Sequence, residues 1–201
     1  MKLYWSNASP YARKVRMVIA ERNLQSFIEE VTVDVYADPA ELLAANPFGK
    51  IPTLVTDEGF ALFDSPVICA YLDARPEARG ERLQPQAGPE RWMVIRAEAY
   101  GDALTDLGFA LMAERRKPEG EKSPTLAKRQ RGQLVRGLDA APATIRTLPE
   151  RVTLGHLAFA SALGYLDFRH GDLNWRDGRG ELAAWYEQIA KRPSVCATAP
   201  A

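Results

Sequence analysis

Cysteine and histidine are scarce in this chain of 201 residues, at two each. Cys69 and Cys196 fit no metal-ligand spacing and no paired redox motif, so neither a metal centre nor a dithiol reaction is expected. No stretch approaches the roughly 18 apolar residues of a membrane span. The opening MKLYWSNASP holds no apolar run of the length a secretory leader needs. Charge of one sign is also missing: 26 Lys and Arg balance 26 Asp and Glu. The whole chain therefore offers no basic field to nucleic acid or to an anionic membrane. Charges such as Lys128, Arg129 and Arg131 read as solvated helix faces. These absences lead to the expectation of a cytoplasmic protein that binds no metal, no nucleic acid and no membrane. What is present is an ordinary globular composition, 46% hydrophobic with 14 Gly and 14 Pro, long enough to bury a core without a staple.

Hydrophobic periodicity divides the chain. Lys2–Trp5 reads as a strand, stopped by the turn-forming Ser6-Asn7-Ala8-Ser9-Pro10. Val15, Val18, Ile19 and Leu24 fall at helical intervals, predicting a helix from Tyr11 to Leu24. A second strand is expected over Phe27–Val35. Asp38-Pro39 then looks like an N-cap with proline at the first helical position, opening a short helix to Ala45. Ile51–Thr56 and Ala61–Phe63 flank the turn Asp57-Glu58-Gly59 as a hairpin, and a helix runs from Ser65 to Ala74. Residues 76–89, with Pro76, Pro85 and Pro89, read as a linker. Strand signals then vanish. Arg91–Arg116, Pro124–Leu148, Thr153–Arg169 and Gly180–Lys191 are expected as helices. The reading is an α/β domain over 1–75, a linker over 76–89 and an all-α domain over 90–201.

Three pieces of the first half can carry chemistry: Ser9-Pro10-Tyr11 where the first strand meets the first helix, Gly49-Lys50-Ile51-Pro52 before the third strand, and Asp64-Ser65 at the start of a helix. Each occurs widely by itself; together they match what a peptide with a thiol and two carboxylates requires. A helix N-terminus with free N–H groups and a partial positive charge suits a carboxylate. Ser65 adds a hydroxyl there, and Asp64 can face an amine. A cis bond before Pro52 would turn the Ile51 backbone outward to pair with an extended peptide, and Lys50 can meet the second carboxylate. A thiol of pKa about 8.5 is only about 3% ionised at pH 7, and lowering that pKa by two units takes about 2.7 kcal/mol. One hydroxyl donating to the anion supplies roughly 1.5–3 kcal/mol. Ser9, with a helix dipole behind it, is placed to do so.

Asn46-Pro47-Phe48-Gly49-Lys50-Ile51-Pro52-Thr53-Leu54, followed by Phe63-Asp64-Ser65-Pro66-Val67-Ile68, resembles the thioredoxin-like N-terminal domain of cytosolic glutathione transferases. The helical second half resembles their C-terminal domain, and the likeness covers nearly the whole chain. Closest in character are small bacterial members with a Ser-Pro pair after the first strand. The resemblance implies glutathione as co-substrate and a cis Pro52. It also implies that the Ile51 backbone pairs with the cysteinyl part and that Asp64 and Ser65 hold the γ-glutamyl end. A homodimer is implied as well. Two departures stand out. Ser9 replaces the cysteine of glutaredoxin-like members, which excludes mixed-disulfide chemistry there. Thr153-Leu154-Gly155-His156 also lacks the acid of the family's Ser/Thr-x-x-Asp capping box, which puts about a kilocalorie of helix stability in question.

Plainer roles stand beside these. Ser9 and Asp64-Ser65 are good helix caps in any protein, and Lys50 suits a solvated surface. Asn7 or Tyr11 can share or replace the thiol role of Ser9. Cys69 reads as a buried hydrophobe, and His156 and His170 as structural. The face of Asp102, Asp106, Phe109 and Met112 either borders a second-substrate pocket, with Tyr11, Asp106 and Phe109 at its edge, or packs between domains. The functional expectation is an enzyme joining the glutathione thiolate to a small electrophile or reducing a peroxide. The alternative is a catalytically silent, transferase-like interaction protein that binds a transcription or translation partner.

Overall fold

The computed structural model describes residues 1–200. β1 (Lys2–Trp5) lies between parallel β2 (Glu29–Thr32) and antiparallel β3 (Thr53–Val55), and β3 pairs with antiparallel β4 (Ala61–Leu62). The sheet order is β2-β1-β3-β4. A parallel pair needs a crossover, and α1 (Pro10–Glu21) provides it. α2 (Ala40–Ala45) leads from β2 to β3, and α3 (Ser65–Ala74) follows β4. Leu3 and Leu54 face each other across the two central strands, fully buried. They form one core with Val15 and Val18 of α1 and Ile68 and Leu72 of α3.

Two expectations are corrected here. The strand expected over 27–35 is only Glu29–Thr32, because Gln25–Phe27 and Val35–Ala37 are 3-10 turns. β2 is an edge strand whose partner β1 ends at Trp5, and past Val33 the Asp34 carboxylate accepts the Tyr36 N–H (3.0 Å) and turns the chain. Asp38 does not cap α2. It takes the left-handed conformation (φ 46°), which Asp tolerates, and Pro39 stands at the cap position.

Residues 76–88 hold no helix or strand, but they are fastened down. The buried Asp73 carboxylate accepts the N–H groups of Leu83 (2.9 Å) and Gln84 (3.0 Å) and pairs with Arg22 (3.0 Å). Arg22 in turn donates to the carbonyls of Arg79, Gly80 and Glu81. Beyond them come α4 (Pro89–Arg116), α5 (Pro124–Ile145), α6 (Leu154–Arg169), α7 (Gly180–Ile189) and α8 (Pro193–Ala197). The last was not foreseen; it is one short turn whose Val195 joins the first core. α6 is buried along Leu154–Leu166 and runs against α4. Gly101 permits the approach, since a Cβ there would lie 2.6 Å from the Ala158 backbone.

The start of α6 overturns the doubt about its cap. His156 takes the place of the missing carboxylate: its Nδ1 accepts the Thr153 N–H at 3.2 Å. That bond needs a neutral ring. Burial, then the charges of Arg151 and Arg192, hold the imidazole pKa down at about 4. α1 joins the two halves. Ser161 of α6 donates to the Pro10 carbonyl (2.6 Å), Arg13 to the Val195 carbonyl (3.1 Å), and buried Lys14 pairs with Glu98 (3.0 Å) and Asp102 (2.6 Å) of α4.

Candidate functional site

Strand register brings the three chemistry-bearing pieces to one end of the sheet. Tyr4 lies opposite Thr53 and Leu54 opposite Leu62. The end of β1, the start of β3 and the end of β4 therefore coincide. The loops leaving them carry Ser9, Lys50-Ile51-Pro52 and Asp64-Ser65, and both α1 and α3 begin there. Two helix N-termini at one place make a favourable setting for anions.

Ser9 caps α1, accepting the Ala12 N–H at 3.2 Å, while its own N–H bonds the Ser6 carbonyl (3.1 Å). A hydroxyl oxygen that accepts still has its proton to donate, so the cap and a thiolate contact are compatible. Tyr11 is directed elsewhere. Its hydroxyl donates to Asp106 (2.6 Å) and its ring meets Phe109 edge-on at 6.2 Å. Burial first, and then Asp106, push its phenol far up, so it stays protonated. The structure thus brings Tyr11, Asp106 and Phe109 together, whereas Asp102 of the same face is held by Lys14.

The loop before β3 depends on Asn46, which the sequence reading took only as a turn residue. This side chain is 1% exposed. It donates to the Lys50 carbonyl (3.1 Å) and the Thr53 hydroxyl (3.0 Å) and accepts the Phe48 N–H (3.1 Å). Gly49 takes a positive φ of 59° in the same turn. The Ile51-Pro52 bond is cis, and Lys50 is exposed. Asp64 stands exposed at the cap position of α3, and Ser65 is its buried first residue. With Pro66 lacking an N–H, the orphan amides there are those of Ser65 and Val67.

Beneath these loops lies a buried charged group that the sequence reading missed. Lys14 sits on the same helical face as Met17 and Val18, and a lysine on an apolar face was the signal available. Burial opposes its charge, but the carboxylates of Glu98 and Asp102 beside it outweigh that and raise its pKa. Burial raises the pKa of both acids, against the pull of Lys14. Cys69 is fully buried, and burial pushes its thiol well up, which keeps it neutral. His170 donates to the Gly108 carbonyl (2.8 Å) and His156 caps α6, so neither joins the site.

Residues 8–75 match the N-terminal domain of glutathione S-transferases, and residues 124–188 match their C-terminal domain. The chain is 32% identical to the uncharacterised glutathione-transferase-like protein YibF of Escherichia coli K12, over 100% of this chain and 98% of that one. It is 39% identical over 100 residues to a stringent starvation protein A homologue of Haemophilus influenzae, covering 49% of this chain and 46% of that protein. A crystal structure of a glutathione transferase family member from Pseudomonas fluorescens Pf-5, with bound glutathione, superposes with a TM-score of 0.92. It is 34% identical, over 100% of this chain and 98% of that one.

Proposed function

Because the chain belongs to the glutathione transferase family, we propose that it is an enzyme joining the glutathione thiolate to a small electrophile or using it to reduce a peroxide. The observation that carries this reading is the convergence of Ser9, Ile51-Pro52 and Asp64-Ser65 at one end of the sheet. In this reading residues 1–75 bind glutathione, residues 76–89 link, and residues 90–201 shape the electrophile's place. The γ-glutamyl carboxylate meets the Ser65 hydroxyl and the α3 amides, and its amine meets Asp64. The cysteinyl backbone pairs with Ile51, and Lys50 faces the remaining carboxylate. Ser9 then donates to the sulfur, with the α1 dipole behind it, and favours the thiolate. In conjugation the sulfur bonds the electrophilic carbon, the leaving group departs with its electron pair, and the thiol proton passes to solvent. Titration with glutathione, followed by turnover of an aryl halide and of a hydroperoxide, tests the proposal. A chain that does not bind glutathione defeats it.

A second reading is a catalytically silent, transferase-like interaction protein that binds a transcription or translation partner. Glutathione binding without turnover of either substrate class would favour that one. We also propose a cytoplasmic homodimer. Phe48 and Trp92 are 70% and 68% exposed, and Phe63, Val67 and Met93 are also exposed. Phe48, Phe63 and Val67 belong to the first half and Trp92 and Met93 to the start of α4, so a two-fold contact can bury one set against the other. A sedimentation coefficient of a monomer at micromolar concentration would count against it.

A further inference from the structure

The face of α4 that begins at the interdomain contact continues past it. Asp102, Asp106, Phe109, Ala113 and Arg116 recur at three- and four-residue steps and share one side of the helix. Asp102 is engaged by Lys14 of α1, but Asp106, Phe109, Ala113 and Arg116 are all exposed. The first half covers the beginning of this stripe and leaves the rest open. Along the open part the chemistry changes in order. Asp106 is satisfied by Tyr11, Phe109 offers a ring edge-on to Tyr11, and Ala113 leaves room. Arg116 ends the stripe with no hydrogen bond or ion pair to any described residue. Its neighbour Arg115 is turned elsewhere and held by the Arg169 carbonyl (2.6 Å) and by Asp172 (3.4 Å).

Tyr165 of α6 closes the back of this stripe. It is 2% exposed, and its ring lies where a Cβ on Gly108 would meet it at 3.3 Å. Burial pushes its phenol up, while the Arg169, Arg116 and Arg115 guanidiniums pull it down and Tyr36 adds to the rise.

We propose that the second-substrate face selects an aromatic or conjugated electrophile bearing a carboxylate, with its ring against Tyr11 and Phe109 and its carboxylate on Arg116. This rests on the transferase reading above. The span fits. Arg116 lies seven positions beyond Phe109, about 10 Å along the helix axis. Helical side chains lean toward the helix N-terminus, which brings the guanidinium back over Ala113, within reach of a carboxylate para to the reacting carbon of a benzene ring. Asp106, whose acceptor is engaged by Tyr11, lies on the far side of Phe109 from that carboxylate.

A suitable probe reaction is glutathione with 4-chloro-3-nitrobenzoate. The thiolate sulfur bonds the ring carbon that carries chlorine, chloride leaves with the bonding pair, and the thiol proton goes to solvent. Its product, S-(4-carboxy-2-nitrophenyl)glutathione, and the methyl ester of that product differ only in the charge at issue. Affinities of both are measured by calorimetry with the wild-type chain, Arg116→Gln and Arg116→Glu. The acid should bind about 5- to 10-fold more tightly than the ester in the wild type, as an exposed to partly covered ion pair allows. The ratio should fall to about one in Arg116→Gln and invert in Arg116→Glu. A cation that serves only the C-terminal dipole of α4 would change both affinities together and leave the ratio alone. Equal binding of acid and ester by the wild type, or one ratio in all three proteins, overturns the assignment while glutathione binding stands. Failure of glutathione itself to bind overturns the transferase reading, and this assignment with it.

Discussion

Replacing Ser9 separates two roles that its oxygen can hold at once. The Oγ accepts the Ala12 N–H at 3.2 Å as the cap of α1, and the proposed role uses the remaining proton. Ser9→Ala removes both, and loss of a serine cap costs typically about 1 kcal/mol of stability. Loss of a hydrogen bond to an anion costs roughly 1.5–3 kcal/mol, equivalent to about one to two pKa units on the bound thiol. Thiolate-dependent turnover at neutral pH should then fall about 10- to 100-fold. Glutathione affinity should hardly change, because the carboxylates and the amine dominate it. Ser9→Gly separates the effects, since glycine at a cap costs only a few tenths of a kcal/mol relative to serine. That variant should keep nearly full stability and still show the raised thiol pKa. The ultraviolet absorbance of the bound thiolate against pH reports the pKa, and denaturant unfolding reports the cap. If Ser9→Ala loses stability while Ser9→Gly and Ser9→Ala both keep the wild-type thiol pKa, Ser9 is a cap alone. The thiol must then be activated by Asn7 or a backbone amide of the same loop.

Ser65→Ala should weaken glutathione by roughly 1.5–3 kcal/mol, read by calorimetry; unchanged affinity would remove Ser65 from the site. Asn46→Ala deletes three hydrogen bonds of a buried amide and should lower stability by about 2–3 kcal/mol. It should also weaken glutathione, because the loop carrying Lys50 to Pro52 loses its anchor; full affinity in a destabilised variant would show that the loop holds itself. For His156 the folded pKa of about 4 lies below the ordinary 6.5, so the unfolded chain takes up a proton that the folded one refuses. The contribution is complete above about pH 6.5 and lost as the pH falls toward 4, up to about 3 kcal/mol. His156→Asp restores a carboxylate to the cap and should flatten stability between pH 4.5 and 6.5. His170, also lowered by burial, remains in both proteins, so an unchanged difference between them across that window would show that His156 is not the group responsible.

What was legible in the sequence followed from local chemistry. α3 begins and ends where Ser65 and Ala74 were read, because the turn before it and the Arg-Pro step after it are both sharp signals. The order of strands and helices in the first half followed from periodicity in the same way. Errors arose where a partner decided the outcome. Residues 27–35 have strand-like composition throughout, but a strand extends only as far as its neighbour, and β1 stops at Trp5. Asp38 carries the side chain of a cap, and its backbone turned left-handed instead.

The candidate site divides along the same line, for a physical reason. Ser9, Pro52 and Ser65 each announce themselves as turn or cap residues, yet nothing within any one segment says that the three meet. Their meeting depends on Tyr4 pairing with Thr53 and Leu54 with Leu62, and a one-residue slip in either ladder would turn those side chains to opposite faces. The residues beneath the site were less visible still. Lys14 finds Glu98 and Asp102 more than eighty positions away, and Ser161 reaches Pro10 from a different helix. His156 looked like a defect only because the rule for that position names a carboxylate. The rule's physical content is an acceptor for the Thr153 N–H, and a neutral imidazole in a buried setting supplies one. Its cost is a dependence on pH that a carboxylate with a lower pKa would not impose in the same range, which is why the acid limb of stability, rather than the fold, is where that substitution should be felt.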